Sequence, residues 1–289
     1  MSGAQAGPRG RLFVVATPIG NLSDITLRAI EVLGSVPLIA AEDTRLTKRL
    51  LDRHGIRTRC VSFHARSGPR RLEELVAHLR SGSDLAVVTD AGTPGVSDPG
   101  EELVRAWGGL GGIVVPIPGA SAVLAAVTGS GIAGPRWAFE GFLPRSGRER
   151  RERLARIAAD ERGTVLYEAP GRVARTLEDV AAACGPDRPG AVARELTKLH
   201  EEIVRAPLGE LAERARSGEL TLRGEFAIVV GSSSDRPGSR APDSDSEEDA
   251  LAEIERRVAA GTPRGEAVRA VAAQSGLPRR RLYRVDDPR

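Results

Sequence analysis

Apolar residues change period repeatedly along this chain. Leu12–Ile19 is a short apolar run closed by a turn and predicts a strand. Asp24–Leu33 follows with Ile25, Ile30 and Leu33 at helical spacing, and Ser23 or Asp24 is placed to cap it. The alternation continues with strands at Leu38–Ala41, Cys60–Phe63, Leu85–Thr89 and Ile113–Ile117. Between them lie helical patterns at Thr44–His54, Arg71–Arg80, Glu101–Trp107 and Ser121–Thr128, with Gly55 suited to the position just past its helix. Strand and helix in strict alternation predict an α/β fold, a parallel sheet covered on both faces.

The second half is less regular. Strands are predicted at Trp137–Phe139, Thr164–Tyr167, Ala191–Ala193, Ile203–Arg205 and Phe226–Val230, and helices at Glu149–Ala159, Val173–Ala183 and Leu208–Arg216. The short spacing around Glu201–Pro207 predicts a strand pair rather than a crossover, hence a mixed sheet. Gly, Pro and Ala cluster near Gly131–Pro135, which sets the expected boundary between an N-terminal α/β domain at 12–131 and a C-terminal one at 135–231. Gly231–Ser246 is rich in Ser, Pro, Asp and Gly and reads as a flexible linker, taken as 232–246. Two amphipathic helices, Glu247–Ala260 and Arg264–Ser275, and the arginines 279–281 and 284 then make a small helical basic tail over 247–289.

Composition narrows the class. At 289 residues with 40% hydrophobic and 28% charged positions the chain is globular, and no apolar stretch is long enough to span a membrane. Met1–Arg11 lacks an apolar signal core, so a cytoplasmic protein is expected. Cys60 and Cys184 alone give neither a disulfide framework nor a zinc motif. The net charge is only +3, yet of 42 basic residues only Lys48 and Lys198 are lysine. That balance admits an RNA or phosphate partner. Aromatic residues at 3% argue against a binder built on stacking platforms.

In open parallel sheets, ligands bind beyond the carboxyl ends of the strands. Four such ends carry unusual loops here: Thr17–Asn21, Glu42–Arg45, Thr89–Gly95 and Pro116–Ala122. Glycine lets backbone approach a ligand and proline fixes loop shape, which suits a flat adenine and a ribose held by backbone groups. A β-carbon at Gly92 is expected to intrude on such a ligand. A single loop of this kind is equally well an ordinary turn; several at one sheet edge point to a site. No phosphate-cradling Gly-x-x-x-x-Gly-Lys motif and no metal motif is present, and no Gly-x-Gly-x-x-Gly follows the first strand, so a nucleoside triphosphatase, an ordinary dehydrogenase and a metal site are not expected.

The blocks Thr17-Pro-Ile-Gly-Asn-Leu-Ser-Asp-Ile-Thr26, Ile39-Ala-Ala-Glu-Asp-Thr-Arg45, Asp90-Ala-Gly-Thr-Pro94 with Asp98-Pro-Gly100, and Pro116-Ile-Pro-Gly119 occur in order. Glu140-Gly-Phe-Leu-Pro144, Tyr167-Glu168, Ala193-Arg-Glu-Leu-Thr-Lys198 and Gly224-Glu225 continue them as far as Gly231. Together they resemble the ribosomal RNA small subunit methyltransferase I family of the tetrapyrrole methylase superfamily. The resemblance implies a two-domain tetrapyrrole-methylase-like fold, a homodimer, and 2′-O-methylation of a decoding-centre cytidine (cytidine 1402 in the usual rRNA numbering). The partner so implied is small-subunit rRNA or the assembled small ribosomal subunit. S-adenosylmethionine would then lie between the domains. The donor residues implied are Pro18, Ile19, Gly20, Asp90, Ala91, Gly92, Pro94, Ser121 and Ala122, with Tyr167, Glu168, Gly224, Phe226 and Ala227 completing the site. The Gly-rich Asp loop usual in porphyrin-precursor methylases is replaced by Thr17–Asn21, favouring the RNA branch over a small-molecule tetrapyrrole-precursor methyltransferase. Ala169-Pro170-Gly171 before Arg172 also departs from the usual Tyr-Glu-Ser-x-x-Arg.

Methyl transfer to a ribose hydroxyl needs alignment and an acceptor for the hydroxyl proton. Glu42, Asp43, His64, Glu168 and Glu195 are candidate acceptors. Lys198, Arg45 and Arg194 are candidates to orient a carboxylate or hold phosphate. Arg145, Arg148, Arg150, Arg151 and Arg153 form a candidate phosphate track. Each has a plainer role available. Asp43 or Thr44 suits a helix cap, His64 an edge position and Arg194-Glu195 an internal salt bridge, while the arginine run suits a solvated helix face.

Overall fold

The computed structural model describes residues 10–232, 244–275, 277 and 279–282. The first sheet holds β1 (Arg11–Val15), β2 (Leu38–Ala41), β3 (Cys60–Ser62), β4 (Leu85–Val88) and β5 (Ile113–Ile117). All its pairings are parallel and the order is β3-β2-β4-β1-β5. The connections run through α1 (Leu27–Ser35), α2 (Thr44–Arg53), α3 (Pro69–Arg80) and α4 (Glu101–Gly109). Side chains alternate across the pleat. Phe13, Val15, Ile39, Ala86 and Val88 bury one face with Leu33 of α1 and Leu51 of α2. Leu12, Ala40, Leu85 and Val87 bury the other with Leu75 and Leu79 of α3 and Leu103 and Trp107 of α4. Both faces are covered, as the near-continuous apolar strands require.

The second sheet contains β6 (Trp137–Phe142), β7 (Gly163–Glu168), β8 (Pro189–Arg194), β9 (Glu202–Pro207) and β10 (Phe226–Val230), ordered β6-β7-β10-β8-β9. Only β6–β7 is parallel; the other three pairings are antiparallel, which gives the expected mixed sheet. α6 (Gly147–Ala159), α7 (Val173–Cys184) and α8 (Leu208–Ser217) cover one face. The opposite face is covered by α5 (Ala122–Ser130), which follows β5 in sequence. Val123 and Ala126 of α5 pack with Val165, Ala191, Ala193, Ala227 and Val229. A β-carbon at Gly129 would lie 2.5 Å from Ile203 Cδ1, so small residues let α5 lie close to this sheet. Arg205 on β9 donates to Ser130 O at 2.9 Å, placing a cation at the helix's negative end.

Most element ends shift by one to three residues from the sequence reading, and three differences change the local account. α1 starts at Leu27, with Thr26 Oγ1 accepting from Ala29 N; Ser23 and Asp24 instead form a 3-10 turn capped by Asn21. Thr26 is the last polar side chain before the apolar stripe, so it wins the cap. Gly231 and Ser232 belong to the folded unit rather than to a linker. Arg188, buried, donates to Gly231 O at 2.8 Å and Arg162 O at 3.1 Å, and Ser232 Oγ donates to Glu161 O at 2.8 Å. The remaining linker through Asp243 lies outside the described residues, and the next helix, α9 (Ser244–Ala259), begins inside the stretch read as linker.

The chain divides into two compact units, Met1–Ser233 and Ser234–Arg289. The second contains α9, α10 (Arg264–Ser275) and α11 (Arg279–Leu282), around a small core of Ile254, Val268, Val271, Leu277 and Leu282. Arg284 lies outside the described residues. No helix among the described residues is long and apolar enough to cross a membrane.

A chain ended after Ser232 should keep the thermal midpoint of the large unit within a few degrees. Ending it after Val230 removes an acceptor of Arg188 and the Ser232 hydroxyl. That should cost about 1–3 kcal/mol for the unsatisfied buried groups. Calorimetry of the two truncations checks this, at roughly 2–4 °C per kcal/mol for a unit of this size.

Candidate active site

The loops at the carboxyl ends of the first sheet are tied together by backbone. Thr17 and Gly92 exchange amide bonds, Thr17 N to Gly92 O at 2.9 Å and Gly92 N to Thr17 O at 3.0 Å. Thr17 Oγ1 reaches Thr89 O at 3.0 Å. Asp43 N donates to Asp90 Oδ1 at 2.9 Å and Asp90 N to Glu42 Oε2 at 3.2 Å, joining the loops after β2 and β4. Thr93 Oγ1 reaches Ala120 O in the loop after β5. Gly92 sits at φ +82°, and a β-carbon there would meet Ile19 Cγ2 at 3.4 Å, an ordinary contact. Left-handed backbone rather than lack of space is therefore what requires glycine. Its N–H is already donated to Thr17, so that amide is not a ligand donor.

The second wall comes from the second sheet. Glu168 is buried with its carboxylate fully engaged. It accepts from Thr176 Oγ1 at 2.6 Å and from Ala169 N at 2.9 Å, and it pairs with Arg172 at 3.0 Å. Arg150 extends this network by donating to Thr176 Oγ1, Asp179 and Pro144 O. Opposite it, Glu195 Oε1 accepts from Lys198 Nζ and Glu225 N, each at 2.9 Å. Lys198 Nζ also reaches Glu225 Oε2 at 2.9 Å. Glu195 at φ +50° and Thr197 at φ +66° are held in left-handed backbone, which L side chains rarely adopt. Gly224 makes room for the cluster: a β-carbon there would fall 2.3 Å from Glu195 Oε1.

Between these walls lies a cavity of about 370 Å³, within the usual range for small-molecule sites. Of the residues expected to hold a donor, Ile19, Ala91, Gly92, Ser121, Ala122, Tyr167, Glu168, Gly224, Phe226 and Ala227 line it. Pro18, Gly20, Asp90 and Pro94 do not. Asp90 braces the loops, and Gly20 is covered by Lys198, whose Cγ would lie 2.4 Å from an added β-carbon. Thr93 and Glu225, inside the Asp90–Pro94 and Gly224–Ala227 stretches that the resemblance implied, line it too; Asp98, Val96, Phe142 and Leu196 also line the cavity and were not anticipated. For Asp98 the signal was present in Asp98-Pro99-Gly100, an acid held by a rigid turn at the start of α4.

The expected proton acceptors separate by environment. Asp43 caps α2 and pairs with Arg45, whose guanidinium and amide hold its carboxyl down at about 2. Glu195 is lowered by the Glu225 amide and by Lys198. Burial tends to lower the Lys198 ammonium, but hydrogen bonds to Glu225 and Glu195 outweigh it and keep the ammonium charged. His64 is exposed, its Nδ1 accepting from Arg66 N at 3.1 Å, and it lies outside the cavity lining. Glu42 is raised by burial, against the Asp90 amide bond. Asp98 stands apart, pushed up to about 7 by burial and by the anions of Glu42 and Asp90. Burial also lifts the Tyr167 phenol, to about 12.

A family model of the Tetrapyrrole (Corrin/Porphyrin) Methylases matches residues 11–212. A Synechocystis protein named ribosomal RNA small subunit methyltransferase I is 46% identical over 278 residues, 96% of this chain and 97% of that protein. Its Bacillus subtilis namesake is 40% identical over 280 residues, 95% and 93% of the two chains. This chain belongs to the ribosomal RNA small subunit methyltransferase I family. Solved structures share the fold at low identity. The methyltransferase CobJ aligns with TM-score 0.60 at 20% identity over 78% of this chain and 95% of that one. Uroporphyrin-III C-methyl transferase from Thermus thermophilus, complexed with S-adenyl homocysteine, aligns at 0.56 and 21% over 77% and 97%.

In this family member the arginines expected to meet phosphate divide into two groups. Arg145, Arg148 and Arg151 are exposed on or beside α6, with Arg148 paired to Glu152. Arg150 is buried in the Thr176 network and Arg153 pairs with Glu140, so neither belongs to a surface track. Arg45 is exposed beside Asp43; Arg194 is largely buried against Glu202 rather than paired with Glu195.

Gly92→Val should cost about 1–3 kcal/mol of unfolding free energy from the backbone conformation alone, measurable in urea. Asp98 predicts a pH signature. A carboxyl raised in the folded state keeps its proton after the unfolded chain has lost it, so its contribution to stability falls as pH rises from about 4 towards 7. Asp98→Asn should remove that fall. The difference in thermal midpoint, variant minus parent, should grow across this range and level off above about pH 8.

Proposed function

We propose that the protein transfers a methyl group from S-adenosylmethionine to small-subunit ribosomal RNA, at the 2′-hydroxyl of the decoding-centre cytidine. The observation that carries this reading is the 46% identity across 96% of the chain to a protein of that name, with six of the eight matched blocks lining one cavity. The residues present suit the donor. Ile19, Ala91, Ala122 and Ala227 form a low, apolar surface for a flat ring, and the left-handed Gly92 leaves the wall without a β-carbon. Tyr167 presents a neutral phenol, and burial pushes its ionisation further from neutral pH. When bound, the donor supplies a methyl carbon made electrophilic by a sulfonium. The protein's own task is alignment, exclusion of water by Leu196, Phe226 and Phe142, and placement of the RNA.

RNA placement is assigned to the start of α6. Arg145 follows the cavity residue Phe142 by three positions, and the exposed Arg148 and Arg151 continue the positive charge along α6. Arg45 adds to it from the first turn of α2. The homodimer implied by the resemblance is part of the same reading and is measured by sedimentation.

Labelled donor should mark RNA in small ribosomal subunits and leave a ribose-methylated, alkali-resistant dinucleotide. Naked rRNA and a porphyrinogen are the comparison substrates, and label in the porphyrinogen alone would overturn the reading. Binding to subunits should weaken as salt rises. In Arg148→Ala plus Arg151→Ala the log–log slope should drop by about one unit for each phosphate that arginine no longer neutralises. An unchanged slope would make these arginines a solvated helix face.

A further inference from the structure

We infer that Asp98 is the catalytic residue that takes the proton from the ribose hydroxyl. The inference rests on the RNA methylation proposed above and names the group that the reaction requires there. Three acids line the cavity: Asp98, Glu168 and Glu225. Glu168 is held by Thr176, Ala169 and Arg172, and Glu225 by Lys198. The Asp98 carboxylate has no hydrogen bond or ion pair among the described residues, though it is half-buried in the cavity wall. Its place is fixed by backbone, since Ser97 at φ +64° and Gly100 at φ +125° bend the loop on either side of Pro99. Of the other expected acceptors, Glu42 accepts from the amide of Asp90, and Asp43 and Glu195 are paired.

The charges around Asp98 suit a base. Glu42 at the end of β2 and Asp90 beyond β4 face it as anions, with His64 acting on Glu42. Tyr167 at the end of β7 feels both Asp98 and Glu225. No cation is among the causes that set its proton affinity, so the anions and burial keep that affinity near neutrality, where a general base is most effective. In the step itself the ribose 2′-oxygen bonds the methyl carbon while the sulfur–carbon bond breaks. That bond's electron pair remains on sulfur, and the hydroxyl proton passes to an Asp98 oxygen.

The test is single-turnover methylation of small ribosomal subunits across pH, with donor affinity measured by calorimetry. The parent rate should climb tenfold per pH unit below about 7 and level off above it. Asp98→Asn should bind donor within about threefold of the parent, lose roughly 100- to 10,000-fold in rate, and lose the pH limb. Asp98→Glu should recover part of the rate together with a limb. A parent profile flat from pH 5 to 8, or an Asp98→Asn protein with the parent rate and limb, overturns the inference while RNA methylation stands. So does an Asp98→Asn protein whose donor affinity falls but whose saturated rate does not, since Asp98 would then be a donor-binding group. A parent protein that binds donor but labels no subunit RNA overturns the functional reading, and this inference with it.

Discussion

The paired amides of Thr17 and Gly92 set the geometry of the site. Two residues from different strand ends share both hydrogen bonds, so the loop after β1 cannot move without the loop after β4. Asp90 then carries the tie to the loop after β2, accepting from Asp43 and donating to Glu42, and Thr93 carries it to the loop after β5. Parallel strands leave their carboxyl ends on one edge, where the loops have no sheet partner. Here they satisfy one another and form a wall.

The facing wall is made rigid in a different way. Buried charge does it, and buried charge is tolerable only when paired and hydrogen-bonded. Arg150, Thr176, Glu168 and Arg172 form such a chain; Glu195 and Lys198 with the exposed Glu225 form a second, more open ion-pair cluster. Each fixes a stretch of backbone that lines the cavity. Lys198 is one of two lysines in an otherwise arginine-based chain. Its slender stem lies over Gly20, where an arginine fork would be bulkier.

These networks divide the acids by role. Partners hold the paired carboxylates of Glu195 and Asp43 below the ordinary range, whereas burial raises the loop-bracing Glu42 and Asp90. Asp98, left in the wall among anions, is raised to about 7. The same contrast between an engaged and an unengaged carboxyl assigns structural and chemical roles across enzyme sites generally.

The order of elements was legible in the sequence because period and burial are local consequences of it. The alternating strands of the first half and the strand pair around Glu201–Pro207 emerge where the residues place them, and ten of the fourteen positions that the resemblance implied for a donor line one cavity. Helix starts were less legible: Thr26 displaces Ser23 and Asp24, since a cap is chosen by where packing starts the helix. Only tertiary structure decided the rest. It set α5 against the second sheet rather than the first and buried Arg150 within a run of exposed arginines. It also separated Asp98 from Glu42, Asp43 and Glu195. A carboxylate's chemistry depends on whether distant chain segments bring it a partner, and no local pattern records that.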